Sequence, residues 1–244
     1  MSALELGLLG QQLLNRGQCP EAEPMLLRAL EKAEQEGDLN VQISAIGLLG
    51  QLCTNRGDFP VASGLLKQAL GLAKRLGDRR LQGAIYGEIG DVHQMQSQYP
   101  QAIVHYKKSL EISEELGNEQ NMVAAYGNLG RVYSRQGELD AAMGMYEEAL
   151  AIYERIGNKP CAATSYSNLA NCYRKKGEMD RAMDLHSKSL RILKYTGDRH
   201  GEANQHANLG ILYHDGMGDK AKALYEQVGD APSAQQATRA LLEV

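Results

Sequence analysis

Three asparagines, Asn128, Asn168 and Asn208, stand forty residues apart, each third in a version of one phrase: YGNLGRVY, YSNLANCY and HANLGILY. A carboxamide carries two N–H donors and a carbonyl acceptor. Held in register, three of them can bond the main chain of an extended peptide. The same groups could instead tie neighbouring elements of the chain together, and the two uses can coexist. Beside this row lie Arg131, Arg135, Arg174 and Lys175. Their charges could pair with carboxylates or a phosphorylated side chain, or form a solvated face balanced by Glu138 and Glu178. Arg131 and Arg135 are four apart, a spacing that puts both on one face of a helix, which favours pairing with a ligand. Ser, Asp and His residues occur, but in no arrangement that defends a nucleophile, and there is no phosphate loop or nucleophile elbow. A metal at His206 and His214 would want further ligands converging on it, a Cys or carboxylate among them; His206 is read as a packing residue. No catalytic residue, metal or cofactor is expected.

What positions these residues is a forty-residue ruler. Gly10, Gly50, Gly90 and Gly130 share one phase, followed by Ala170 and Gly210. Gly17, Gly57, Gly137 and Gly177 share a second, with Ser97 standing in. Ala22, Ala62, Ala102, Ala142 and Ala182 share a third. Gly37, Gly77, Gly117, Gly157 and Gly197 share a fourth, each followed by Asp or Asn. Such periods mark a repeat architecture. Each unit reads as two helices. Tyr126, Leu129, Val132 and Tyr133 recur at helical intervals of three and four, and Gly137 closes that helix by entering the left-handed region. Ala142, Met145, Tyr146, Ala149, Leu150 and Ile152 stripe the next, which Gly157 closes. Strand alternation appears nowhere. Small residues in the first and third phases allow close helix approach, and one pair cannot bury its apolar face without a neighbour.

Composition narrows the functional classes. An apolar fraction of 43% and a charged fraction of 23% belong to a folded chain. A net charge of −4 gives no general reason to bind nucleic acid or membrane. The opening MSALELGLLG lacks a basic segment and a cleavage site and reads as helix, not signal peptide. No run is apolar enough to span a membrane. Cys19, Cys53, Cys161 and Cys172 show no CxxC spacing and read as reduced thiols in a cytoplasmic protein.

The series Tyr126, Leu129, Gly130, Tyr133, Gly137, Leu139, Ala142, Tyr146 and Ala149 resembles the tetratricopeptide signature, with Tyr126 where that family often has Trp and His206 at the same place in the last copy. The unit is longer than the family's usual one and lacks its closing Pro. This longer form is similar to the repeats of kinesin light chains and spindle-orientation scaffolds. The resemblance implies an all-α, right-handed superhelical solenoid of antiparallel helix pairs. Its repeats fall at about 3–38, 39–78, 79–118, 119–158, 159–198 and a shortened 199–230, with a capping helix over 231–244, all in a single array. It also implies that first helices line a concave groove. Small residues then form the floor (Gly7, Gly47, Gly87, Gly127, Ser167, Ala207). Leu8, Leu48, Glu88, Asn128, Asn168 and Asn208 face inward, as do Arg131, Asn171, Arg135 and Lys175. Ser167 holds the place where the family's carboxylate clamp has Lys, so a chaperone C-terminus clamp is not expected. Leu8, Leu14 and Leu48 offer an apolar anchor or are buried in the array.

The expected function is a non-catalytic scaffold that binds an extended, acidic peptide in the concave groove. The alternative is a regulatory sensor for a signalling peptide or small molecule. The partner is a protein or peptide, not nucleic acid or membrane. Leu4, Leu6, Leu9 and Leu13 lack a preceding repeat to cover them, which favours self-association through repeat 1.

Overall fold

The computed structural model describes residues 1–212; the expected short last helix, the capping helix and His214 lie outside them. The described residues form eleven α-helices and no strand. In order they are α1 (Ala3–Asn15), α2 (Cys19–Glu36), α3 (Leu39–Arg56), α4 (Phe59–Leu76), α5 (Arg79–Met95) and α6 (Tyr99–Glu115). Then follow α7 (Glu119–Gln136), α8 (Leu139–Arg155), α9 (Lys159–Lys175), α10 (Met179–Thr196) and α11 (Arg199–Leu212). The chain divides into two compact units, Met1–Ala125 and Tyr126–Val244, so the boundary falls within α7.

The Gly-Asp and Gly-Asn pairs account for the helix punctuation. Gly37 and Gly77 end α2 and α4 with φ of 73° each, a left-handed conformation that glycine adopts without a Cβ penalty. The next residue caps the following helix. Asp38 Oδ1 accepts from the N–H groups of Asn40 and Val41 at 3.0 and 3.2 Å, and Asp78 Oδ1 from Leu81 at 2.9 Å. Asn118 and Asn158 do the same with their amide oxygens toward Asn121 and Cys161. Ser97, where the other copies have Gly, also turns left-handed, with φ of 59°.

In the first unit each helix packs on the next, and the first helices α1, α3 and α5 also touch in sequence. The first-phase glycines explain the closeness. A Cβ on Gly10 would meet Leu26, one on Gly50 would meet Leu66, and one on Gly90 would stand 2.5 Å from the Tyr106 ring. Ile43, Ile46, Leu66, Ala69, Ile85, Ile89 and Val92 make the main core. The expectation for repeat 1 holds only in part. Leu4 is exposed, but Leu9 and Leu13 are half-buried, and Leu6 is buried against Ala29 and Ala45. The partner helix α2 and the following α3 cover it, so no preceding repeat is required.

The second unit repeats this logic with one exchange. Gly130 of α7 abuts Tyr146 of α8, where an added Cβ would stand 2.6 Å from the ring. One repeat on, Ala170 carries a methyl and faces a smaller ring: the Tyr146 position is occupied by His186, which is fully buried. α8, α9, α10 and α11 pack in succession.

Candidate functional site

Ser167 and Asn168 are consecutive on α9, and the helical period puts Asn204 and Asn208, four apart, on one face of α11. These four polar side chains line one groove of about 470 Å³. Ser189 and Leu193 of α10 complete it, and Asp198 and His200 stand at the start of α11. Asp198 is partly committed, since its Oδ1 accepts from the Gly201 N–H at 2.9 Å. Ser189 also has a local duty: its hydroxyl donates to the Ala163 carbonyl at 2.8 Å.

Behind this wall runs a short hydrogen-bonded relay. His186 Nδ1 lies 2.7 Å from Gln205 Oε1, and Gln205 Nε2 donates to Ser167 Oγ at 3.0 Å. A carboxamide oxygen only accepts, so the imidazole proton resides on Nδ1. Burial drives the His186 pKa down to about 4, with Arg174 pushing the same way and the Gln205 bond opposing. The ring is therefore neutral near pH 7, and its Nε2 is buried without a hydrogen-bond partner. The relay fixes the orientation of Gln205, itself buried. Ser167, which lines the groove, accepts that bond on Oγ and keeps its own O–H as a free donor.

The other expected site residues divide. Asn128 is half-buried on α7, and its Oδ1 accepts from Arg131 Nη2 at 2.9 Å. Lys175 spans two first helices: its Nζ donates to the Ser134 carbonyl and hydroxyl at 3.2 and 2.9 Å. Cys172 lies close by; burial raises its pKa, while a Ser134 hydrogen bond and the Lys175 charge oppose that rise. Arg135 is exposed, Arg174 and Asn171 half-buried. Asn168 and Asn208 are thus brought together in one groove. Asn128, Arg131, Asn171, Arg135, Arg174 and Lys175 do not line it. Asn204, Gln205 and the donor role of Ser167 escaped the sequence reading. Asn204 carries a legible signal, one helical turn before Asn208.

Burial also perturbs two further groups, Glu88 on the first helix α5 and Tyr146 on the second helix α8. In the first unit Glu88 Oε2 is buried without a hydrogen-bond partner, and its carboxyl is pushed up to about 7, mainly by burial and further by Asp91. Asp91 accepts from the Tyr106 hydroxyl at 2.6 Å. In the second unit the Tyr146 hydroxyl, buried between α7 and α9, is pushed up to about 12. Among the described residues no group of three His, Cys, Asp or Glu side chains could hold a metal ion. No described helix is long and apolar enough to cross a membrane.

A family model described as tetratricopeptide repeat matches residues 1–75, 81–155 and 161–228, and a second with the same description matches 128–193. No curated protein matches the sequence. Among solved structures, BtubC (BKLC) from P. vanneervenii is similar at 23% identity and a TM-score of 0.75, over 93% of this chain and 93% of that one. A kinesin light chain-like protein of nearly identical repeats from Podosopora anserina is similar at 20% identity and a TM-score of 0.65, over 79% of this chain and 95% of that one. A Rap protein complexed with competence and sporulation factor is similar at 18% identity and a TM-score of 0.66, over 98% of this chain and 73% of that one. At these identities the likeness is one of fold.

Proposed function

The chain belongs to the tetratricopeptide repeat family, and from that premise we propose that it is a non-catalytic protein-interaction scaffold whose second unit holds an extended peptide along its asparagine row. The observation that carries this reading is the composition of a single groove: Ser167, Asn168, Asn204 and Asn208 line it together. An extended main chain alternates N–H and C=O groups, and carboxamides can answer both. Ser167 adds a donor directed by its relay. Arg131 and Arg135, at the α7 end, select acidic side chains. Arg135 is exposed, and Arg131 is steadied by Asn128. Asn128, Asn171, Arg174 and Lys175 extend the row and its positive flank, with Lys175 chiefly holding α9 to α7 through Ser134.

A second reading keeps the groove and changes its role. The similar Rap structure is a complex with competence and sporulation factor, and by that analogy this groove serves a sensor for a signalling peptide. In either reading the protein works in the cytoplasm, where its four unpaired cysteines stay reduced. Self-association through repeat 1 rests on Leu4 and Leu8, which are 57% and 50% exposed. Light scattering across concentrations tests it, and a strict monomer refutes it.

The test of the groove is a pull-down with peptide mapping, followed by calorimetric titration of the mapped peptide. Asn168→Ala with Asn208→Ala should weaken it by about tenfold or more, at roughly 1 kcal/mol per lost main-chain bond. Arg131→Glu with Arg135→Glu should weaken acidic peptides most, and wild-type binding should fall with salt. Binding that survives both double substitutions removes the groove from the function and leaves the asparagines structural.

A further inference from the structure

We propose that the second unit carries a separate pocket for a small aromatic anion, which shares no lining residue with the asparagine groove. The pocket is a cavity of about 510 Å³ where the C-terminal turns of α8 and α10 meet the first half of α9. Its volume falls in the range of roughly 300–1,000 Å³ typical of small-molecule sites. Tyr153, Tyr166 and Tyr195 supply three rings, and Ile192 and Ala162 add aliphatic surface.

Two of these rings break the repeat. The place of Tyr195 is held by Gln35, Arg75, Glu115 and Arg155 in the four earlier copies, and that of Tyr153 by Ala33, Ala73 and Ser113 in three. A position that is small in the first three repeats thus becomes aromatic in the fourth, and one that is polar or charged in the first four becomes aromatic in the fifth. Tyr195 remains 76% exposed, so burial in the array does not account for the exchange. A flat ligand could stack on it.

The charge at the pocket sets the sign of the ligand. Lys159 Nζ lies 4.0 Å from the centre of the Tyr195 ring, and Lys188 Nζ 5.6 Å from that of Tyr166. Arg191 forms part of the wall. None of these three cations makes an ion pair within the described residues. The one carboxylate in the lining, Glu154, accepts the Tyr166 hydroxyl proton in a hydrogen bond. Rings held beneath ammonium groups, with an unpaired guanidinium at the edge, fit an aromatic system bearing a carboxylate or sulfonate. A neutral ring would leave the cations unanswered, and an aliphatic acid would leave the rings unused.

The probe is 8-anilinonaphthalene-1-sulfonate, an aromatic anion whose fluorescence rises on leaving water, titrated into the full chain. Saturable binding is expected, weakened by at least about tenfold in Lys159→Glu/Arg191→Glu and in Tyr195→Ala. These side chains are exposed, and circular dichroism checks that the helices persist. Lys159→Arg/Arg191→Lys should bind like the wild type, and so should Asn168→Ala/Asn208→Ala. The uncharged dye N-phenyl-1-naphthylamine should bind the wild type at least about tenfold more weakly. The proposal is overturned if the charge-reversed chain binds the sulfonate as tightly as the wild type. It is also overturned if the neutral dye binds equally well, or if the asparagine substitutions abolish the signal.

Discussion

Replacing Glu88 by Gln should change how stability depends on pH, in a direction and window set by one buried carboxyl. Glu88 and Asp91 lie on the same face of α5, three residues apart. Asp91 is tied to the Tyr106 hydroxyl, so its charge is fixed in place while Glu88 Oε2 has no partner at all. The folded chain therefore keeps the Glu88 proton to about pH 7, whereas an unfolded one releases it near the ordinary 4.5. Below that ordinary value both states are protonated and nothing is lost. As pH rises through the window, the unfolded state alone ionises, and each pH unit costs the fold about 1.4 kcal/mol. By neutral pH the cost reaches about 3 kcal/mol, or nearer 1 where water reaches the group. His186 acts in the opposite sense: its ordinary 6.5 falls to about 4, so its burial destabilises the fold as pH drops. The two trends mask each other in the wild type, and only a difference curve separates them. Urea denaturation followed by circular dichroism, from about pH 4 to about pH 8, gives both curves. Glu88→Gln should match the wild type at the acid end and exceed it increasingly toward neutrality. Parallel curves across the whole range would refute the reasoning.

The remaining expectations concern packing, backbone and the relay. Gly130→Ala would place a methyl 2.6 Å from the Tyr146 ring. The overpacking outweighs alanine's helix preference, for a net loss on the order of 1 kcal/mol read by thermal melting. Gly50→Ala should cost less, because its nearest neighbour is the flexible end of Leu66 at 3.0 Å; equal losses at the two sites would contradict this. Ser97→Gly should raise the melting temperature, gaining about 0.5–1 kcal/mol by removing a Cβ from a left-handed turn. The imidazole resonances of His186 should not titrate between about pH 8 and about pH 5, and a midpoint near the ordinary histidine value would break the relay's assigned proton.

The fold was legible because its determinants are local and periodic. Gly37 and Gly77 mark left-handed closures, the Asp or Asn that follows marks a cap, and Gly130 opposite Tyr146 marks a close crossing. Each can be read from spacing, without knowing any partner. The site was legible only where periodicity reached it, and Asn168 and Asn208 do meet in one groove. Whether a side chain is available to a ligand depends on rotamer and neighbour, which no spacing reports. Lys175 looks identical on paper whether it faces a peptide or, as here, spends its ammonium group on Ser134. Ser167 looked like floor, and became a directed donor only through Gln205 and His186, residues of two other helices. The relay also accounts for the exchange at the fifth crossing. A histidine in place of tyrosine leaves room for the Ala170 methyl and supplies the N–H that orients Gln205. One substitution thus serves packing and the groove wall together. The breaks in a repeat, at Tyr195 as at His186, are therefore where its individual chemistry is best sought.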